Sequence, residues 1–259
     1  MEPRLYTEKI MLFGGPGTGK TEQLINIIRF LEPYEIPVYV IDLEDKFYGS
    51  IMGEEPSNLN LFVATDWDEF TSRLNEVEPK IDMASETRPW IMVDRADLLY
   101  PMVQNWFTQN KYKIDLGDKL IDANKSMKDR KTGEYKPSMF NPQFDQAEWQ
   151  VINEQYSSKL ARVLYKYKAN VVLTAGVKPA RSDVDSPFEV YGTVDVGPRG
   201  QKELPHQPSS VFYLTQRKEG RKIIWEITTA KDIKSRDYIQ SERLSDFAIE
   251  YLLKYYTPE

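Results

Sequence analysis

Gly14-Gly15-Pro16-Gly17-Thr18-Gly19-Lys20-Thr21 satisfies the pattern GxxxxGK[ST], and the flanking residues supply the setting that gives the pattern meaning. Ile10-Met11-Leu12-Phe13 reads as a buried strand, and Leu24, Ile27, Ile28 and Leu31 share one face of a following helix. A strand that delivers such a loop to a helix N-terminus restricts the chain to an α/β fold. The loop's backbone N–H groups and the helix dipole then favour phosphate. The expected ligand is a nucleoside triphosphate contacted by Gly14 through Glu22, with Lys20 on the β and γ phosphates and the Thr21 hydroxyl on Mg²⁺.

Strand and helix patterns alternate downstream. Pro37–Ile41, Asn60–Val63, Trp90–Val93 and Asn170–Thr174 read as strands. Thr65 or Asp66 is placed to cap a helix carrying Trp67, Phe70 and Leu74, and a long amphipathic helix is expected from about Gln146 to Lys168. Periodicity fails over 109–141, where Lys125, Lys128, Arg130, Lys131 and Lys136 suggest a basic insertion or loop, and again over 176–208. Ser210–Thr215 and Lys222–Thr228 read as a hairpin turning at 217–220, and Ser241 as the cap of a final helix through Leu252. The expected architecture is one domain over 1–259, a doubly wound, mostly parallel sheet closed by a β-hairpin and a helix.

Cysteine is absent and histidine occurs once, at His206, which excludes disulfides, thiolate nucleophiles and Cys/His metal clusters and leaves oxygen ligands. A formal charge of −6 argues against a chain that coats nucleic acid along its whole surface, while local basic loops remain available. The opening residues lack a signal-peptide pattern and no apolar run approaches a membrane span, so a soluble, cytoplasmic protein is expected.

Asp94, at the end of Ile91-Met92-Val93, stands where a second carboxylate meets Mg²⁺ or its water shell, although an Asp there also serves as a turn residue. Arg95 follows it, so a general base must come from elsewhere. Glu44, at the C-terminal end of the second strand, is the candidate, where open α/β sheets place their ligands.

In these segments the chain resembles RecA-like phosphate-loop ATPases: the loop, Val40-Ile41-Asp42-Leu43-Glu44, Ile91-Met92-Val93-Asp94 and the hairpin near 210–230 occur in the family's order. The resemblance implies ATP and Mg²⁺ as cofactors, Glu44 as catalytic base beside Lys20, and hydrolysis at a subunit interface of a homo-oligomeric ring or filament. It implies DNA as partner, single-stranded favoured, with Lys178, Arg181, Arg199 and Lys202 as contacts. Lys231, Lys234 and Arg236 would act in trans. Compact versions of this kind are frequent in bacteriophages as recombination and replication ATPases, which would place the protein in host cytoplasm.

One departure concerns the end of the 170–174 strand, where Gly176 occupies the place of the family's polar γ-phosphate sensor; Thr174 and Lys178 are the available substitutes. Alternative readings are a packaging or translocation motor, a nucleotide-gated interaction protein with little turnover, and a small-molecule phosphotransferase. The last usually needs an arginine-rich lid, which the lysine-rich 125–136 segment does not supply. A GTP switch is disfavoured because Met127 stands in Asn124-Lys125-Ser126-Met127 where a base-reading Asp belongs.

Overall fold

A computed structural model describes residues 7–83, 88–126, 144–179, 196–232, 240–243 and 251–252. An eight-stranded sheet runs β10-β9-β8-β1-β5-β4-β2-β3. Its strands are β1 (Lys9–Gly14), β2 (Val38–Asp42), β3 (Leu59–Val63), β4 (Trp90–Asp94), β5 (Asn170–Ala175), β8 (Ser210–Glu219), β9 (Lys222–Asp232) and β10 (Gln240–Arg243). Every neighbouring pair from β8 to β3 is parallel, while β9 runs against both β8 and β10. β6 (Val177–Pro179) and β7 (Val196–Pro198) form a separate antiparallel pair.

The near-continuous apolar runs of the central strands follow from burial on both faces. Met11, Phe13, Ile41, Ile91, Val93, Val171 and Leu173 enter the core beneath helices α2 (Trp67–Met83), α3 (Leu99–Tyr112) and α5 (Gln146–Ala161). Ile10, Leu12, Val38, Val40, Trp90, Met92 and Val172 enter the opposite core with α1 (Lys20–Leu31) and Tyr251 and Leu252. Parallel strands with helices on both faces bring the C-terminal ends of β8, β1, β5, β4, β2 and β3 to one edge, the edge at which open α/β sheets place their ligands.

Asp66 caps α2 by accepting from the Glu69 N–H at 2.8 Å, while Glu69 accepts from the Thr65 N–H at 2.7 Å. Asp145 and Glu148 form a reciprocal capping box on α5. That helix passes into one π-helical turn at Arg162–Lys166, so the single helix expected to Lys168 ends early. The supposed irregular region from 109 is also partly helical. α3 extends to Tyr112 and α4 (Leu116–Ser126) follows, because Phe107 and Leu116 pack on the α2/α3/α5 core; residues 127–143, with Lys128, Arg130, Lys131 and Lys136, lie outside the described residues.

The hairpin is longer than its apolar pattern indicates and turns at Gly220, whose φ is +61°. Past Leu214 the hairpin leaves the sheet as a two-stranded ribbon, and its β8 half, Gln216 to Glu219, is polar and exposed. Ser241 belongs to strand β10 and is not a helix cap: the sheet edge offered by β9 takes up residues 240–243 as a further strand. No helix among the described residues is long and apolar enough to cross a membrane.

Candidate nucleotide site

The phosphate-loop residues leave β1 at Gly14 and enter α1 at Lys20. Gly17 and Gly19 adopt φ of +73° and +88°, values that a side chain disfavours, and they turn the loop back on itself before the helix starts. No side chain caps α1, so its first-turn N–H groups have no side-chain acceptor at the loop end. The Lys20 Nζ donates to the Gly14 and Gly15 carbonyls at 2.9 and 2.8 Å, and the Thr18 hydroxyl donates to the Gly15 carbonyl at 2.9 Å. The ammonium therefore sits across the loop. Burial lowers its pKa and the nearby charge of Arg95 adds to this, while Asp94, Asp97 and Glu44 oppose the shift.

The second half of the site comes from β4 and its neighbours. Asp94 is buried and accepts from the Thr21 hydroxyl at 3.0 Å on Oδ2, and from the Thr174 hydroxyl on Oδ1. Burial raises the Asp94 pKa, Asp42 reinforces this, and the two threonine hydrogen bonds oppose it. The expected metal pair, Thr21 and Asp94, is thus in direct contact. Its oxygens, beside a phosphate-sized loop, suit a hard cation such as Mg²⁺ that shares its ligands with phosphate and water. No cluster of three or more Asp, Glu, His or Cys able to hold a metal alone occurs among the described residues.

Asp42 is paired with Asp94 across the parallel ladder and builds the turn that carries Glu44. Its carboxylate accepts from the N–H groups of Glu44 at 2.9 Å, Lys46 at 2.6 Å and Phe47 at 2.7 Å, while Phe47 is buried as the turn's anchor. Glu44 therefore projects from a fixed turn. Partial burial would raise its pKa, but Arg95 and Lys46, both 3.3 Å from Oε1, hold it below the usual range. Arg95 also forms two parallel bonds with Asp97, Nε to Oδ1 at 3.2 Å and Nη2 to Oδ2 at 2.9 Å.

The outer hairpin forms the far wall. Trp225 Nε1 donates to the Gly17 carbonyl at 3.0 Å. Lys222, Ile223, Ile224 and Trp225 enclose with residues 17–23 a cleft of about 900 Å³. This is ample for a nucleotide.

The remaining sequence candidates fall into three groups. Lys178 and Arg199 lie together on the β6–β7 arm, with the Arg199 N–H donating to the Gly176 carbonyl at 2.8 Å, and Lys202 is exposed in the turn beyond. The Lys231 ammonium is engaged by the carbonyls of His206 and Pro208, both at 2.7 Å. Arg181, Lys234 and Arg236 lie outside the described residues. Thr174, a possible γ-phosphate sensor, is fully buried and committed to Asp94.

Sequence reasoning missed four contributors: Asp42 as turn builder, Thr174 as partner of Asp94, the Arg95–Asp97 pair, and Trp225 at the loop. Adjacent carboxylates at neighbouring strand ends were a readable signal for the first. The others depend on contacts between segments far apart in sequence.

No protein-family model matches the chain, and no curated protein does. Among solved structures, a KaiC-like protein from the hyperthermophilic archaeon Pyrococcus horikoshii OT3 is similar. It shares 13% identity at a TM-score of 0.50, over 90% of this chain and 83% of that one. At that identity the likeness concerns the fold alone, a mostly parallel α/β sheet.

Proposed function

We propose that the chain is a Mg²⁺-dependent ATPase of RecA-like type. The observation that carries this reading is the convergence, at one sheet edge, of Lys20 on the loop, Thr21 bonded to Asp94, and Glu44 on the turn built by Asp42. Lys20 and the α1 N-terminus would bind the phosphates. Thr21 and Asp94 would hold Mg²⁺, which supplies charge neutralisation of the phosphate oxygens when bound. Glu44 would orient and deprotonate the attacking water, a role worth roughly 10²- to 10⁴-fold.

The proposal extends to DNA, single-stranded by preference, as the partner of a cytoplasmic homo-oligomer that hydrolyses ATP at subunit boundaries, in a phage-type recombination or replication pathway. Supporting it, the β6–β7 arm places Lys178 and Arg199 beside Gly176, at the same strand end as the site. Lys231, Lys234 and Arg236 are the proposed groups acting in trans; for Lys231 this requires leaving the two carbonyls that engage it.

Hydrolysis measured without DNA, with single strands and with duplex tests both levels of the proposal. Stimulation by DNA that is lost in Lys20→Ala and Glu44→Gln supports the whole of it. Turnover indifferent to DNA removes the DNA partner and leaves the ATPase. A second reading, a nucleotide-gated interaction protein with little turnover, is favoured by one observation, the ion pair that Glu44 makes with Arg95. Tight ATP binding with negligible turnover under every condition would select it.

A further inference from the structure

The end of β5 has no side chain to offer a phosphate, and the reason is spatial. A Cβ on Gly176 would lie 3.2 Å from Arg95 Nη2 and 3.3 Å from Asp97 Oδ2. The volume that a polar residue would fill at the end of β5 is taken by the Arg95–Asp97 pair, which reaches it from the end of β4.

The two halves of the Arg95 guanidinium have different partners. The Nε and Nη2 edge is fixed on Asp97, whose side chain is 0% exposed. Planar, bidentate pairing of this kind is geometrically demanding and hard to displace. Nη1 instead meets Glu44 at 3.3 Å, in a pair whose side chains are 24% and 28% exposed. A single, longer contact open to water is the weaker of the two. Arg95 is thus anchored on one side and exchangeable on the other. Arg95 directly follows Asp94, which accepts from the Thr21 hydroxyl at 3.0 Å, and Thr21 is the neighbour of Lys20. The exchangeable nitrogen accordingly lies at the strand end that meets the phosphate loop, between Glu44 and the residues assigned to the phosphates and Mg²⁺.

Resting on the nucleotide reading above, we propose that Arg95 is the γ-phosphate-contacting residue of this site. Held by Asp97, it exchanges the Glu44 carboxylate for a terminal phosphate oxygen when a nucleoside triphosphate binds. The exchange conserves hydrogen bonding at Nη1 and releases Glu44 from Arg95, leaving the exposed Lys46 ammonium as its ion-pair partner while the carboxylate orients water. A diphosphate presents no such oxygen, so Glu44 stays paired. Recognition of the third phosphate and release of the base then become one event. An amide could not do this, because the five N–H donors of a guanidinium are what allow one edge to stay anchored while the other changes partner.

Calorimetric titration with Mg²⁺ and either ADP or a non-hydrolysable ATP analogue tests the proposal in the wild type, Arg95→Lys, Arg95→Ala, Gly176→Ala and Glu44→Gln, each checked for thermal unfolding. Arg95→Ala strands a buried Asp97 carboxylate and risks misfolding, so Arg95→Lys and Gly176→Ala carry the test. The preference for triphosphate over diphosphate should fall about tenfold or more in Arg95→Lys, with ADP affinity within about twofold of wild type. Gly176→Ala should move the preference in the same direction by less. Glu44→Gln should raise triphosphate affinity about three- to tenfold, because Nη1 no longer has to leave a carboxylate. An unchanged preference in a folded Arg95→Lys protein would overturn the role of Arg95 while leaving the site intact. A wild-type protein that binds neither nucleotide would overturn the phosphate-loop reading and the proposal with it.

Discussion

Thr174→Val isolates the support of Asp94. Thr174 is completely buried, and its hydroxyl donates to Asp94 Oδ1, while Thr21 serves Oδ2. Valine keeps the branched shape and removes that one donor. Burial already raises the Asp94 pKa above the ordinary 3.8, so the ionised form is a cost to the folded state. The sign follows from linkage: stability is greatest below the unfolded-state value and declines as pH rises through the raised folded-state value. Removing the hydroxyl raises the carboxyl further and enlarges that decline. A hydrogen bond to a charged acceptor contributes about 1.5–3 kcal/mol, so at pH 7 Thr174→Val should lose about 2 kcal/mol. For a chain of this size that is a fall in Tm of about 4–8 °C. In an Asp94→Asn background the acceptor is neutral and the loss should shrink to about 1 kcal/mol. Urea unfolding of the four proteins of this cycle at pH 7 measures the coupling. Losses equal in the two backgrounds within about 0.5 kcal/mol would refute the reasoning, showing that the hydroxyl does not serve the Asp94 charge.

Asp42→Ala removes the acceptor of three backbone N–H groups and should cost roughly 3 kcal/mol in urea unfolding, with hydrolysis falling further than occupancy of the site because Glu44 loses its turn. Trp225→Ala should weaken nucleotide binding about 5- to 20-fold in titration calorimetry with little change in Tm, and Trp225→Phe should recover part of it by restoring the wall without the bond to Gly17. Glu148, buried at the start of α5, has a pKa lowered to about 2: burial alone would raise it, but Lys111, Tyr112, the Asp145 N–H and Lys119 hold the charged form. Its contribution is therefore present above the ordinary value of 4.5 and is lost as pH falls from there toward about 2. Acid unfolding followed by circular dichroism should be shallower over that interval in Glu148→Gln than in wild type.

The parallel sheet was legible because burial on both faces writes itself into sequence as uninterrupted runs such as Ile91-Met92-Val93 and Val171-Val172-Leu173. The glycine-rich loop was legible because its geometry demands particular residue types in a row. α3 and α4 were obscured by polar residues on their outer faces, and the outer hairpin by the polarity of Gln216 to Glu219, where cross-strand pairs such as Arg217 with Glu226 replace apolar alternation. Within the site, Lys20, Thr21, Glu44 and Asp94 could be singled out because each stands at the end of a recognisable element. Arg95 was noted only for what it is not, since its meaning depends on the missing side chain at Gly176, 81 positions later in the chain, and no local pattern records that.

β1 occupies the middle of the sheet, pairing on one side with residues 171–175 and on the other with 210–214, while Trp225 reaches back to Gly17. The residues proposed to bind phosphate are therefore made early and enclosed late. At translation speeds of about 5–20 residues per second, β1 waits on the order of 10–40 s for both neighbours. A nascent chain interrupted before the hairpin would carry the complete glycine-rich motif and still lack one edge of β1's hydrogen bonding and a wall of the cleft. Full enclosure of the proposed nucleotide cleft thus reports that synthesis has reached the hairpin.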